Sequence, residues 1–575
     1  MNNITRRGFL RLSGIGLVTP YILLTDGSSK AYSFSNNRTD SNYFQVNPSL
    51  NPEDVFGLSV ASGDPTPSGV ILWTRINSSA WTQGDSLAFE VASDPDFNQV
   101  IVQGLAQSSD FGPERDYTVK IDLDGRLSAN SYFYYRFIYH QTASRTGRCR
   151  TLPASSDSPD RIKFAVLTCQ DYANGYYGAF SLLSQETDVD FVVHLGDFIY
   201  ETAATSNSTY PDRLIILPSG GSASLGLDDY RTLYRTYRSD AFLQRAMEQH
   251  TWIIIWDDHE TANDCYWDYA RDTLGAPDHP FTTDSQYGND PLRLKQLKLD
   301  SQRAWSEYVP ARVKVNQGAT HPFQYLQIYR KFKFGNLVEL FMTDERTYRS
   351  PHPCGEGQVG QRYVTLGCDQ QFADTRSMLG QTQRDWLVQG VTGSTSLWKV
   401  WGNEVLHAPL RLSQTSKSVY IILDAWDGYV SERSYLAGRF KQANVRNLVL
   451  LTGDLHTSLA SYLKVNYSSD PLNLLQSNMV GVEFMTPAVT SANLKQLLGN
   501  IGVAVDIGEV IIRLTNPHIR FFDGEHWGYS TVEFNSDYCE YTVFNIDKSQ
   551  NSGSVAKNVL KRLRVPVNKV KISEV

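Results

Sequence analysis

Four segments of this chain are nearly unbroken apolar runs, and each stops at a residue able to bind a metal ion. Phe164 to Thr168 ends at Cys169, and Phe191 to Leu195 ends at Gly196-Asp197. Trp252 to Trp256 ends at Asp257-Asp258-His259-Glu260, and Leu448 to Thr452 ends at Gly453-Asp454-Leu455-His456. Runs without polar alternation are what strands buried on both faces look like. In open α/β sheets ligands bind beyond the carboxyl ends of the strands, so the four ends are expected to meet in one pocket. Carboxylates gathered there repel one another unless a cation neutralises them, and a multinuclear metal site is the economical explanation. Each motif alone has a plainer reading. Gly196-Asp197 reads as a tight strand-to-loop turn, Asp257 to Glu260 as a helix N-cap with an acidic first turn, and Asp454-x-His456 as a surface turn.

The pattern changes along the chain. Residues 50–153 carry short β-prone runs, such as Gly69-Val70-Ile71-Leu72-Trp73-Thr74 and Tyr132-Phe133-Tyr134-Tyr135-Arg136-Phe137, separated by Gly, Pro, Asp and Asn turns. They predict an N-terminal β-sandwich. Thr151 to Pro159 reads as a linker. Over 160–540 strand-like runs alternate with helical segments, Arg231 to Met247 and Gln381 to Val388 among them, which predicts a layered α/β core with helices outside. Residues 204–229, rich in Ser, Thr, Gly and Leu, read as a surface insertion. Residues 541–575 form a C-terminal extension whose end, Lys557 to Val575, reads as a solvated terminal strand or tail. No internal repeat is evident.

The beginning reads as an address. Thr5-Arg6-Arg7-Gly8-Phe9-Leu10 sets paired arginines before an apolar stretch, Ile15 to Leu24, too short to span a bilayer. Residues 1–31 are therefore expected to be a twin-arginine signal peptide. No later segment is apolar enough to cross a membrane, so no transmembrane anchor is expected after signal removal. Roughly 540 residues remain, enough for two or more domains. The net charge of −8 and the absence of a long basic run argue against a nucleic-acid partner. None of the six cysteines (149, 169, 265, 354, 368 and 539) forms a Cys-x-x-Cys pair, which disfavours a zinc ribbon. Cys354 and Cys368 flank a Gly-rich loop and could close it as a disulfide in an oxidising compartment.

Together the blocks resemble the metallophosphoesterase superfamily and, within it, the PhoD-type alkaline phosphatases. That branch has a Cys on the first strand, a Gly-Asp-x-x-Tyr-Glu block and a Trp-Asp-Asp-His-Glu block. Here they stand as Cys169, Gly196-Asp197-Phe198-Ile199-Tyr200-Glu201 and Trp256 to Glu260. The likeness runs along most of the chain. It includes Val60-Ala61-Ser62-Gly63-Asp64, Leu72-Trp73-Thr74-Arg75, Asp424 to Tyr429, Glu483 to Pro487 and Asn516-Pro517-His518. Asp344-Glu345-Arg346-Thr347-Tyr348-Arg349 departs from the family's Asp-Thr-Arg-x-Tyr-Arg, and the insertion after Tyr200 is long. Both departures leave the substrate range open.

The resemblance implies Fe(III) and calcium. Cys169, Asp197, Tyr200 and His456 form a plausible ferric set, with phenolate a hard donor suited to a trivalent ion. Calcium takes oxygen ligands, and Asp197 could bridge to it with Asp258, Asn263 and Asp454 completing the shell. Asp257 could replace Asp258, since adjacent carboxylates at a strand end cannot be ranked from sequence. The plainer readings are an aromatic packing residue for Tyr200, a small buried hydrophobe for Cys169 and a helix-surface residue for Asn263. Such metals would acidify a bound water, hold phosphate oxygens and neutralise charge during in-line displacement. His259 would steady the phosphoryl oxygens or protonate the leaving oxygen. Arg346, following the strand-like run Leu337 to Met342, would supply a donor fork for phosphate, with Arg231 and Arg235 as alternatives.

The leading expectation is thus an exported enzyme, periplasmic or secreted, that hydrolyses phosphate monoesters and diesters. Its substrates would be small-molecule, lipid or polymer phosphate esters, and its export partner the twin-arginine machinery. A second reading narrows the substrate to lipid or cell-wall phosphodiesters. A third, of another class, is a non-catalytic binding protein with a structural metal site.

Overall fold

The computed structural model describes residues 21–23, 31–33, 42–203, 209–413, 418–468, 473, 475–497 and 502–575. The segment read as a signal peptide lies outside the described residues, apart from a short antiparallel pairing of Tyr21–Leu23 with Ala31–Ser33.

Two large sheets face each other. One has ten strands, with Arg161–Leu167, Phe191–His194 and Thr251–Ile254 running parallel at its centre. The other has seven, with Val338–Met342, Trp398–Gly402, Leu448–Thr452 and Met479–Met485 parallel at its centre. Aromatic contacts join the facing surfaces: Phe164 and Phe191 meet Phe334 at 5.0 and 5.1 Å between ring centroids, and Phe484 stacks on Tyr541 at 4.6 Å.

The continuous apolar runs follow from burial on both faces. In Leu448–Thr452, Val449 and Leu451 point into the core between the sheets, while Leu448 and Leu450 point outward under Leu436 and Phe440 of the helix Val430–Gln442. On the far side, Gly178–Ser184, Leu227–Arg238, Ala241–Gln249 and Pro291–Tyr308 cover the ten-stranded sheet. The architecture is the layered α/β core with outer helices expected from the sequence. The helix expected at Arg231 to Met247 is two helices that break at Ser239-Asp240. There the Asp240 carboxylate accepts from the Phe242 and Leu243 amides and caps the second. The first begins at Leu227, inside the stretch read as an insertion.

The N-terminal module is a sandwich, but one of its layers is shared. Leu87–Ala92, Val100–Ala106, Tyr132–Tyr139 and Gly147–Arg150 form a separate sheet. Val60–Thr66, Gly69–Arg75 and Thr118–Asp122 instead continue the ten-stranded sheet, through parallel pairing of Val60–Thr66 with Thr251–Ile254. Gly63 makes this junction close: a Cβ there would lie 2.2 Å from the Pro310 carbonyl oxygen. At the other edge, the boundary at 540/541 falls inside the strand Tyr538–Ile546. The basic tail read as solvated pairs as Lys557–Pro566, with Leu563 and Val565 buried, because its alternate residues face the core. Cys354 and Cys368 are joined as a disulfide.

Asp64 ties these parts together. Its buried carboxylate takes both Nε and Nη2 of Arg330, each at 2.7 Å, and the Arg312 amide at 2.6 Å. Arg330 opens the seven-stranded sheet's edge strand and also donates to the Ile254 carbonyl at 2.8 Å. Breaking such a pair leaves a buried charge unpaired. Asp64→Ala is therefore expected to lower stability by about 3 kcal/mol, measured as a fall in the denaturant midpoint. An unchanged midpoint would show that the module docks without this pair.

Candidate active site

The four strand ends do converge, but across the seam between two sheets rather than along the edge of one. Cys169, Asp197 and the Asp257–Glu260 turn come from the ten-stranded sheet, and Asp454 and His456 from the seven-stranded one. Two glycines permit the approach. A Cβ at Gly196 (φ +99°) would lie 2.5 Å from the Asp257 amide nitrogen, and one at Gly453 would lie 2.6 Å from Thr168 Oγ1. Cys169, Asp197, Asp454 and His456 all adopt left-handed backbone, with φ between 55° and 67°. Such strain collects at functional sites and persists where the surroundings over-determine it.

Three groups of donor atoms result. Cys169, Asp197 and His456 form one, Asp197, Asp258 and His259 a second, and Asp257, Asp258 and Asp454 a third. Within each, one donor atom per residue lies within 4.8 Å of the others. Asp197 is shared by the first two groups and Asp258 by the last two. Tyr200 adds its hydroxyl, 2.9 Å from Asp197 Oδ2 and 3.2 Å from His456 Nε2.

The surroundings orient these donors. The Ala492 carbonyl holds His456 Nδ1 at 2.7 Å, which turns Nε2 toward Tyr200. Burial pushes this imidazole's pKa down to about 4, so its nitrogen stays a neutral donor. Ser491 Oγ lies 2.6 Å from the Tyr200 hydroxyl and 2.8 Å from the Cys169 carbonyl. Glu260 accepts the amides of Asp197, Phe198 and Asp257 at 3.0, 2.7 and 2.7 Å, pinning two strand ends to one carboxylate. The capping reading of the Asp257–Glu260 turn is thus correct too: Glu260 reaches back to its N-cap. Glu201 holds His259 Nδ1 at 2.6 Å and accepts the Asn263 amide at 2.8 Å. The His259 ring lies 4.1 Å from that of Tyr200, with 17% of its side chain exposed.

Charge is the dominant problem of the site. Burial raises Asp197 and Asp454 well above the usual carboxylate range, and neighbouring carboxylates raise them further. Burial also lifts Asp257 to about 6, against the pull of Arg346. Burial disfavours the His259 imidazolium, but Glu201, Asp258 and Asp197 outweigh it and raise this pKa well above normal. Asp257 Oδ2 and Asp454 Oδ2 are buried with no hydrogen-bond partner. Buried lone pairs facing other carboxylates are what a hard cation with oxygen ligands requires. Sulfur, phenolic oxygen, imidazole nitrogen and carboxylate on the other side form a mixed donor set that suits a transition metal. The residues fit the two-metal expectation.

Arg346 corrects one reading. No part of its side chain is exposed, and it offers phosphate no open fork. It donates to Asp257, to Asp424 at 2.5 Å and to Asp454 at 2.8 Å, and lies 3.5 Å from Asp258. It is the carboxylates' counter-charge. Arg231 and Arg235 are elsewhere, paired with Glu307 and Asp116 against the N-terminal module. Asn263 has its amide nitrogen on Asp278 at 2.7 Å, behind the carboxylates. Glu201, Glu260 and Asp424 lay within the recognised blocks and were legible as motif members, whereas Ser491 and the Ala492 carbonyl carried no sequence signal.

Residues 164–543 match the family described as PhoD-like phosphatase, and residues 45–153 match its N-terminal domain. Alkaline phosphatase D of Bacillus subtilis (strain 168) is 30% identical over 494 residues, spanning 84% of this chain and 77% of that protein. A solved structure described as "Structure of PhoD" superposes with a TM-score of 0.76 at 26% identity, covering 92% of this chain and 93% of that one. The chain belongs to the PhoD-like phosphatase family and is a hydrolase of phosphoric ester bonds.

Proposed function

We propose that this phosphatase is exported by the twin-arginine route and hydrolyses phosphate monoesters and diesters at an Fe(III)–calcium centre. One observation supports the reading of the centre: the Asp197 carboxylate is shared between the donor group of Cys169 and His456 and that of Asp258 and His259, and Asp258 belongs in turn to an all-carboxylate group with Asp257 and Asp454. On this reading Cys169, Asp197, Tyr200 and His456 hold the ferric ion. Asp197, Asp258 and Asp454 hold calcium, with Asp257 beside them and Asn263 at the margin. When bound, these ions would acidify a water, grip the phosphate oxygens and offset charge in the transition state.

The chain's own groups divide the remaining work. Glu201 fixes His259 through Nδ1, leaving Nε2 to meet a phosphoryl oxygen or to protonate the departing one. His259 is the candidate acid because its side chain is partly exposed, whereas Arg346 is sealed in. Arg346 favours the charged form of the carboxylates around it, against their burial. The paired Arg6-Arg7 ahead of a short apolar stretch supports export, as does the closed Cys354–Cys368 disulfide. With no long basic run, nucleic acid is not an expected substrate surface.

Elemental analysis of natively exported protein, run beside assays on a monoester and a diester dye, tests the reading. Iron and calcium in near-stoichiometric amounts are expected. The purified enzyme should show a visible phenolate-to-iron band that Tyr200→Phe removes while the far-ultraviolet circular dichroism stays unchanged. A colourless, iron-free and fully active preparation rejects Fe(III). Chelation of calcium should abolish hydrolysis reversibly, with activity returning on adding calcium chloride. Activity surviving exhaustive chelation excludes calcium.

A further inference from the structure

The loop closed by Cys354 and Cys368 has little core of its own. Val359, Val364 and Leu366 are 81%, 47% and 58% exposed, and the loop contains Gly355, Gly357, Gly360 and Gly367. A segment with its apolar side chains in solvent depends on other restraints for order. Here these are the disulfide, the pairing of Tyr363–Leu366 with Val419–Ile422, and polar side chains reaching inward.

Those side chains converge on the rear of the oxygen-rich half of the site. Arg362 is fully buried, although the apolar side chains of its loop are exposed. Its Nη1 pairs with Asp264, and its Nη2 meets both oxygens of Asp278 at 2.7 and 2.8 Å. The Tyr363 hydroxyl donates to Asp264 Oδ2 at 2.6 Å. Asp264 in turn gives its backbone amide to Asp258 Oδ2, and Asp278 holds the side-chain amide of Asn263. Asp264 is held in left-handed backbone at φ 53°, a conformation that needs a firm setting. From the same loop, Glu356 holds His352 Nδ1, and His352 Nε2 lies 2.7 Å from Asp424, the carboxylate against Arg346. None of these contacts reaches Cys169, Tyr200 or His456.

We propose that Arg362, held in place by the Cys354–Cys368 loop, is a positioning residue for the cation bound by Asp258 and its neighbouring carboxylates. Losing it lowers calcium affinity without disturbing the sulfur–phenolate half. The inference rests on the calcium reading above. The physical basis is indirect: partners of a metal-binding carboxylate fix its direction, and their removal typically weakens binding by about 10- to 100-fold. Arg362 acts one step further out, through Asp264 and Asp278, so a loss toward the lower end is expected.

Calcium chloride titrated calorimetrically into the full-length, iron-containing protein tests this. Arg362→Gln is expected to weaken calcium binding by about tenfold and leave the visible band unchanged, while Arg362→Lys recovers part of the affinity. Tyr363→Phe, a milder change, should weaken binding less, again with the band intact, and serves if Arg362→Gln fails to fold. Cys354→Ser with Cys368→Ser should reproduce the Arg362→Gln affinity. Wild-type calcium affinity in both Arg362→Gln and Tyr363→Phe would overturn the proposal, as would parallel loss of band and affinity in both, which marks a general structural role. A wild-type protein that binds no calcium would overturn the reading on which the proposal rests, and the proposal with it.

Discussion

The site is built on one electrostatic constraint: three buried aspartates, Asp257, Asp258 and Asp424, and the partly exposed Asp454 surround the guanidinium of Arg346. Asp197 stands beside them with no arginine of its own. Removing charges from water costs several kcal/mol per ion even after relaxation, and only close opposite charge offsets it. Arg346, even with Arg349 on Asp424, leaves these five aspartates in excess, so the arrangement makes physical sense as a receptacle for cations. The same constraint explains the second ring of pairs, with Arg349 on Asp424 and Arg362 on Asp264, which keeps the outer acids from adding to the repulsion.

Holding such a cluster requires rigid walls. The strand ends are anchored by backbone amides donated to Glu260 and by glycines that let neighbouring loops touch. The core between the sheets is filled with large aromatic side chains, and a dense interior resists the outward push of like charges. The N-terminal module adds to this support, because its shared strands continue the sheet next to Thr251–Ile254, whose loop carries Asp257 and Asp258.

Differences between sequence expectation and structure cluster where charge is paired. Arg346 follows a strand into the pocket as expected, yet carboxylates from the Asp257, Asp424 and Asp454 segments surround it, a fact invisible to local pattern. Arg231 and Arg235 look like surface charges or phosphate ligands in sequence, while in space they donate to the Glu114 carbonyl and to Asp116 of the N-terminal module. The C-terminal strands read as a tail because alternation of Val, Lys and Ile is equally compatible with solvent and with a sheet edge.

By itself the sequence determined the classes of element and the chemistry at their ends. Unbroken apolar runs record burial on both faces, and the polar residues that end them fall where backbone leaves the sheet, so both are local properties readable in one dimension. The family blocks around Cys169, Asp197, Trp256 to Glu260 and His456 likewise named most donors before any fold was in view. Only the tertiary structure decided that these ends meet across two facing sheets, that Ala492 and Ser491 orient His456 and Tyr200, and that Arg346 is buried rather than open. Those outcomes depend on contacts between residues tens to hundreds of positions apart, and their partners are selected by three-dimensional charge balance and packing, which no local pattern records.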